Sequence, residues 1–163
     1  MTNYICINGN KTELTEEQLK QLGIEIPKVS PFDRVKMQES YYMITASGEV
    51  HQSYELHDGY DKELHKAANY CTNYNMMQQR ALHETLNRLL WRYSMEHDGN
   101  KINLDNSAVF KYGVKRTLCI GWTTFSTNAK LFGVPLFATE KIAKDAIEDI
   151  IKPFMAQHPE FKF

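Results

Sequence analysis

The sequence predicts an α+β fold in which two main helices pack on one face of a mostly antiparallel sheet. The first observation is a junction pattern that occurs twice, an aromatic residue followed two positions later by threonine, in Tyr70-Cys71-Thr72 and Phe137-Ala138-Thr139. Threonine is a favoured N-cap, and a stretch with helical spacing follows each one. The second observation is that segments of strand-like alternation precede the junctions. The resulting order of hairpin, helix, strands and helix is typical of an α+β domain.

The first 23 residues predict a small strand-turn-helix unit. The segment 4–7 has the composition of a short strand, and Asn8-Gly9-Asn10 predicts a tight turn after it. Thr15 and Gln18 have the spacing of a capping box, which predicts a short helix. Gly23 then supplies the left-handed residue with which many helices end.

A linker is predicted at residues 24–40, between this unit and the main domain at 41–163. The segment contains Pro27 and Pro31 and shows little periodicity. Two alternatives follow: a mobile connection, or an ordered arm that packs on the main domain.

The main domain is predicted to begin with a β-hairpin around Ser47-Gly48. Tyr41–Ala46 and Glu49–Leu56 both alternate as strands do. The further predicted elements are a short helix at 61–68, a long helix at 73–97, strands at 108–112, 117–125 and 134–137, and a final helix from Thr139 whose last turns Pro153 should kink or fray.

The long helix is predicted to bury one face and to carry a line of charges on another. The apolar face is Leu82, Leu86, Leu89, Leu90 and Tyr93. The charged line, at strict four-residue intervals, is Arg80, Glu84, Arg88, Arg92 and Glu96. Such a line is either a solvated face supported by weak ion pairs or a binding face for an acidic partner.

Composition excludes several classes of protein. The hydrophobic content of 42% supports a packed core, and the formal net charge of −1 excludes a strongly basic nucleic-acid binder and a strongly acidic DNA mimic. The three cysteines, Cys6, Cys71 and Cys119, form no CxxC pair, so we expect reduced thiols in a cytoplasmic protein. The N-terminus lacks the pattern of a signal peptide, and no run is long enough to span a membrane.

No catalytic or cofactor motif is present, and we therefore predict a non-enzymatic protein with no cofactor and no metal. The densest polar cluster, His57, Asp58, Asp61 and His65, is close only in sequence, so a polar helix start is favoured over a metal site. Cys71 precedes a helix, where a thiolate would be stabilised, but we predict a buried structural cysteine.

The residues predicted to contact a partner are three hairpin tyrosines and three arginines of the long helix. They are Tyr41, Tyr42, Tyr54, Arg80, Arg88 and Arg92. Tyrosine and arginine suit a protein–protein interface. Nucleic-acid binding is the alternative: the region 49–63 holds five carboxylates and one lysine, but Lys111, Lys115 and Arg116 offer a local positive patch elsewhere.

Two segments carry a resemblance to a group of small proteins encoded by phages and prophages of Firmicutes and their relatives. One segment runs from Tyr41-Tyr42-Met43-Ile44 through Asn69-Tyr70-Cys71-Thr72 to Glu96-His97-Asp98-Gly99, and the other is 132–143. The group is similar in context to genes that counter bacterial defences, including anti-CRISPR proteins. Cys71 stands where an aromatic residue is more usual in that group.

The resemblance implies a phage-derived protein that acts in the bacterial host cytoplasm. Our leading hypothesis is a binding protein that inhibits a host defence factor, with a CRISPR effector nuclease or its RNA complex as the first candidate. The alternative is a nucleic-acid-binding accessory protein of phage replication or regulation.

Overall fold

The structure is a computed structural model that describes residues 4–7, 10–23, 30–98, 106–129 and 131–162. These residues form an α+β fold with antiparallel strand pairs, which confirms the predicted class. In chain order the elements are β1 (Tyr4–Ile7), β2 (Asn10–Glu13), α1 (Glu16–Gln21), β3 (Ser40–Ile44), β4 (Val50–Tyr54), α2 (Gly59–Lys66), α3 (Tyr74–Asp98), β5 (Lys111–Thr117), β6 (Gly121–Thr127), α4 (Glu140–Ala146), a π-helical turn (Ile147–Ile151) and α5 (Lys152–Gln157).

The strands in the described part of the chain form three separate antiparallel pairs, β1–β2, β3–β4 and β5–β6. They do not form the single sheet that we expected. Helix α3 contacts β3 and β4, whereas α4 contacts β5 and β6, and the two helices also contact each other. Each main helix therefore packs on its own hairpin, and α3 also packs against α4 and the π-helical turn.

The N-terminal segment contains one strand more than expected. The capping box is present, since the Gln18 amide donates to Thr15 Oγ1 at 3.3 Å and the Thr15 amide donates to Gln18 Oε1 at 2.9 Å. Gly23 has a φ of +69°, as a left-handed helix end requires. Asn10, predicted in the turn, instead begins β2, while Asn8 and Gly9 lie outside the described residues.

Both junction patterns lie beside the first strand of a hairpin. The amide of Tyr42 donates to the carbonyl of Cys71 at 2.7 Å, and the Cys71 amide donates back to Tyr42 at 3.0 Å. Tyr112 and Phe137 exchange equivalent bonds of 2.9 and 2.7 Å. Two units of the chain thus share one plan: a hairpin, a bridging residue and a helix.

The second unit follows the sequence pattern, whereas the first unit is offset from it by one residue. Thr139 caps α4, accepting from the Ile142 amide at 3.2 Å, as predicted. Thr72 does not cap α3: Asn73 does so, accepting from the Met76 amide at 3.1 Å. In both units the cap follows the bridging residue by two positions. Cys71 is therefore the structural equivalent of Phe137.

Helix α3 contributes to both apolar cores. Near its start, Met77 and Ala81 pack with Ile44 and Cys71. Further along, the predicted face with Leu86, Leu90 and Tyr93 is confirmed as buried. The second core also contains Phe137, Ala143, Ala146, Ile147, Ile151, Phe154 and Phe161.

Pro153 does not fray the final helix. It lies in the first turn of α5, where a missing N–H leaves no helical bond broken. The π-helical turn directly before it provides an i→i+5 bond from the Lys152 amide to the Ile147 carbonyl. The extra residue in this turn brings Ile151 into the core, fully buried, while Ile150 stays half-buried.

The C-terminal tail docks on α3. Phe161 is buried and packs edge-on against Phe154, with 5.6 Å between ring centroids. The Gln79 side chain donates to the carbonyl of Glu160 at 2.9 Å and accepts from the Lys162 amide at 2.6 Å. These contacts hold the tail against the domain up to residue 162.

The predicted strands at 108–112 and 117–125 are wrong in their limits. The first strand is β5, and the segment 118–120 is a turn that leads into β6. Leu118, Ile120 and Trp122 alternate with less apolar residues in the sequence, and this pattern is typical of a half-buried strand. It therefore led to the wrong prediction of a strand through 118–120. Gly121, with a φ of +73°, allows the tight turn that the alternation concealed. The predicted strand at 134–137 is reduced to the single bridge at Phe137.

Truncation of Ile151 is expected to destabilise the fold more than truncation of its neighbour. Ile151→Ala should lower the free energy of unfolding by about 2–5 kcal/mol, the range for a fully buried aliphatic side chain. Ile150→Ala is the matched control and should have a clearly smaller effect. Urea unfolding of both variants measures this, and equal losses would contradict the π-helical register.

Candidate binding surface

The three predicted contact tyrosines differ in exposure. Tyr54 is 58% exposed, and Tyr42 is half-buried against the edge of Tyr74. Tyr41 has no exposed surface, which corrects its prediction as a contact residue. The alternation of β3 could not distinguish a core face from a contact face, because both faces are apolar.

Tyr41 belongs to a buried polar network. Its ring stacks on Tyr70 with 4.1 Å between centroids, and its hydroxyl donates to Asp61 Oδ1 at 2.7 Å. The hydroxyl of Tyr70 donates to Glu55 Oε2 at 2.9 Å. Burial, above all, raises the pKa of each phenol to about 12, so both remain protonated donors at neutral pH.

Glu55 is the centre of this network, and its carboxylate is fully buried. Burial would raise its pKa, but hydrogen bonds from Arg34, from Tyr70 and from the amide of His57 outweigh that effect and hold the pKa below its usual value. Arg34 forms a two-point contact: its Nε lies 3.2 Å from Glu55 Oε2, and its Nη2 donates to Oε1.

Asp61 is the second buried carboxylate. Burial again acts to raise its pKa, while donation from Tyr41 and from the Leu56 amide, at 2.7 Å each, lowers it below the usual value. With each oxygen bonded, the two carboxylates have a structural role and no open position for a substrate.

The network holds the described part of the predicted linker, residues 30–39, against the main domain. Val35 donates its amide to the Tyr70 hydroxyl at 3.1 Å. Gln38 and Glu39 form backbone bonds with Glu55 of 2.7 and 3.0 Å. Gln38 has a positive φ of 68°, a conformation that non-glycine residues rarely adopt and that these bonds maintain.

The polar cluster at 57–65 does not converge on a metal. His57 Nε2 lies 3.3 Å from the carbonyl of Val35, and His65 Nε2 lies 3.0 Å from the carbonyl of Phe32. Asp58 caps α2 by accepting from the Asp61 amide at 2.9 Å. Within the described ranges, no three His, Cys, Asp or Glu side chains are arranged as metal ligands.

The cysteines with described side chains are free. Cys71 is buried, which confirms the prediction, and its Sγ accepts from the Asn73 amide at 3.4 Å. Cys119 lies exposed in the turn between β5 and β6. The side chain of Cys6 lies outside the described residues.

The predicted arginines of α3 have different partners. Arg80 pairs with Glu84 at 2.7 Å and also donates to the carbonyl of Ala68, so it connects α3 to the end of α2. Arg88 reaches Thr85 Oγ1 at 3.4 Å. Arg92 lies 3.9 Å from Glu96, a loose and exposed pair that contributes little to stability.

Arg88 and Arg92 line a groove between α3 and the turn of the β3–β4 hairpin. Its volume is about 400 Å³. We call this groove the arginine groove; its lining residues are Ser47, Thr85, Arg88, Leu89, Trp91 and Arg92. The lining set contains two cations, two hydroxyls and no carboxylate.

Trp91 is the residue of this groove that sequence reasoning missed. It is 61% exposed, an unusual state for tryptophan in a packed domain. A signal was available, because Trp91 lies on the side of α3 opposite to Leu86 and Leu90, next to Arg88. Tryptophan and arginine together are enriched at the energetic centres of interfaces.

The chain matches no protein-family model, no curated protein and no solved structure at a significant level. None of the helices in the described ranges combines the length and the apolar character that a bilayer crossing requires. We therefore infer the function from the residues that are exposed on the surface of the domain.

Glu55→Gln is expected to lower the free energy of unfolding by about 2 kcal/mol, because charged hydrogen bonds are replaced by neutral ones in a buried site. Urea unfolding at neutral pH measures the loss. Glu63→Gln, an exposed carboxylate on α2, is the matched control and should change stability by less than about 0.5 kcal/mol. A loss in Glu55→Gln no larger than that of the control would contradict the role of the network.

The stability of the protein should also fall in acid. Both carboxylates have folded pKa values below those of the unfolded chain, which are about 4. Their contribution is therefore complete above about pH 5 and is lost as the pH falls through the folded values below about pH 4. The free energy of unfolding, measured with urea at a series of pH values across this range, should fall less steeply with acid in Glu55→Gln than in the native protein. Equal slopes in the two proteins would contradict a lowered pKa of Glu55 in the folded state.

Proposed function

We propose that this chain is a non-enzymatic binding protein whose partner docks in the arginine groove. The observation that carries the proposal is the exposed Trp91 beside Arg88 and Arg92. An exposed indole offers a large apolar contact area, and two guanidinium groups offer directed donors to carboxylates or phosphates.

The charge of the groove defines the chemistry of its partner. Among the described residues, Arg92 pairs only with Glu96, at 3.9 Å, and Arg88 donates to a neutral hydroxyl, so both guanidinium groups keep donors for an incoming anion. Ser47 and Thr85 add hydroxyls at the rim. The partner should present an acidic group next to an apolar side chain that covers Trp91.

Four buried titratable groups with shifted pKa values do not favour catalysis. Glu55 and Asp61 have their oxygens bonded inside the domain, and the buried phenols of Tyr41 and Tyr70 donate to them. A catalytic acid or base must reach a substrate, and these four groups are enclosed.

We infer from the resemblance to phage and prophage proteins that the partner is a bacterial defence factor in the host cytoplasm. A CRISPR effector nuclease, alone or in its RNA complex, is the first candidate. The protein would inhibit it by covering an acidic, partly apolar surface. A nucleic-acid-binding role in phage replication or regulation is the alternative.

The test is capture of partners from a bacterial lysate by the tagged protein, before and after nuclease treatment. The proposal predicts a protein partner that is retained after nuclease. Recovery of nucleic acid alone, or loss of every partner after nuclease, would replace the proposal with the alternative.

Charge reversal in the groove should then remove the captured partner. Arg88→Glu combined with Arg92→Glu, and separately Trp91→Ala, should each weaken binding by about thirtyfold, which corresponds to about 2 kcal/mol for a hot-spot residue. Calorimetry with the purified partner measures the change.

Lys66→Glu is the matched control, because it reverses an exposed charge on α2, outside the groove. It should leave the affinity unchanged. Retained affinity in both groove variants, with folding verified by circular dichroism, would exclude the groove as the contact surface.

A further inference from the structure

The tip of the β5–β6 hairpin exposes apolar side chains where turns usually carry polar residues or glycine. Leu118 is fully exposed and Ile120 is 72% exposed, and both lie in the turn 118–120. Apolar side chains that leave most of their surface in water are poorly explained by folding, because they add little to the apolar area buried in the domain. A partner that covers them would explain their presence.

The same part of the chain has an unusual distribution of charge. Residues 106–139 include no aspartate and no glutamate, although the whole chain has 20 acidic residues. The cations of this stretch are Lys111, Lys115, Arg116 and Lys130. Lys115 and Arg116 are exposed at the end of β5 next to the tip, whereas the Lys111 ammonium is buried against the carbonyls of Asn106 and Val109.

Three of the four carboxylates of α4 and the π-helical turn are paired with lysines, and the fourth, Asp149, accepts from the Tyr93 hydroxyl at 2.8 Å. Lys144 lies 2.8 Å from Glu140. The pairs Lys141–Asp145 and Lys152–Glu148 each measure 2.6 Å. The charged side chains at the tip end of the hairpin are Lys115 and Arg116, and both are cations.

Hydroxyl groups accompany these cations along the hairpin. Thr117, Thr123, Thr124, Ser126 and Thr127 lie on the paired strands, whose register runs from Lys111↔Thr127 to Thr117↔Gly121. Lysine, arginine and hydroxyl side chains are the groups that contact phosphates, and β-ribbons contact DNA in the major or the minor groove.

The composition of the tip favours DNA over a lipid surface. Leucine and isoleucine at the end of a basic arm are used as wedges against base steps. A membrane-binding tip is expected to present aromatic side chains at headgroup depth, but Trp122 is partly buried and packs on the second core.

We propose that the β5–β6 hairpin is an arm that binds double-stranded DNA. Lys115 and Arg116 contact phosphates, and Leu118 and Ile120 pack against the bases at the tip. This inference goes beyond the proposed function, because the residues of the arm lie outside the arginine groove and their partner is a different molecule.

The test is a salt titration of binding to a short fluorescent DNA duplex, followed by anisotropy. The native protein should bind with an affinity that falls as salt rises. Lys115→Glu combined with Arg116→Glu should weaken binding at least about tenfold and reduce the salt slope by about 2, since two phosphate contacts are lost.

Leu118→Ser combined with Ile120→Ser should weaken binding while leaving the salt slope unchanged, because no cation is removed. Most of the surface of these side chains is exposed, so the variant should fold normally, as verified by its urea midpoint. Lys62→Glu combined with Lys66→Glu, two exposed positions on α2, is the matched control and should bind as the native protein does.

Two results would overturn the proposal. One is the absence of salt-dependent duplex binding by the native protein, or equal binding by the arm variants and the control. The other is binding to vesicles of phosphatidylglycerol and phosphatidylcholine without binding to the duplex, which would assign the tip to a lipid surface. Neither result bears on the arginine groove, whose test uses other residues and a protein partner.

Discussion

The hydrogen bonds to the buried Glu55 carboxylate are the interactions on which the arrangement of the N-terminal half of the main domain depends. It accepts from Arg34, from the hydroxyl of Tyr70 and from the amide of His57, which come from three separate parts of the chain. A buried charge is tolerated only when its oxygens are bonded, so the three parts are held in one geometry. The first hairpin, the junction before α3 and the segment 30–39 are thereby joined.

A second carboxylate performs the equivalent task at the other junction. Asp98, at the end of α3, is buried and accepts from the amide of Ala138 at 3.0 Å. Ser94 Oγ lies 2.6 Å from the carbonyl of Leu136 and 3.1 Å from Asp98. Helix α3 therefore connects two similar units, with its apolar faces in both cores. Because the remaining face of α3 takes no part in this packing, Trp91 and Arg88 are exposed on it.

The elements set by local chemistry could be predicted from the sequence, and those set by distant contacts could not. The capping box at Thr15 and the apolar face of α3 follow from spacing alone. The exclusion of Tyr41 from the surface depends on Asp61, twenty positions away, and the cap at Asn73 depends on where Cys71 bridges Tyr42. The arginine groove was half predictable: the line of arginines is visible in the sequence, but the hairpin turn that completes the groove with Ser47 is not.

Hydrogen exchange in the native protein and in Glu55→Gln would test most directly whether the Glu55 carboxylate joins the first hairpin, the junction before α3 and the segment 30–39. The account predicts that the amides of Val35, Gln38 and Thr72 lose protection together in the variant, because their partners in the segment 30–39 and at the junction depend on one buried charge. The amides of α4 should be unchanged. Faster exchange at His57 alone, with protection of the other three amides retained, would contradict the account.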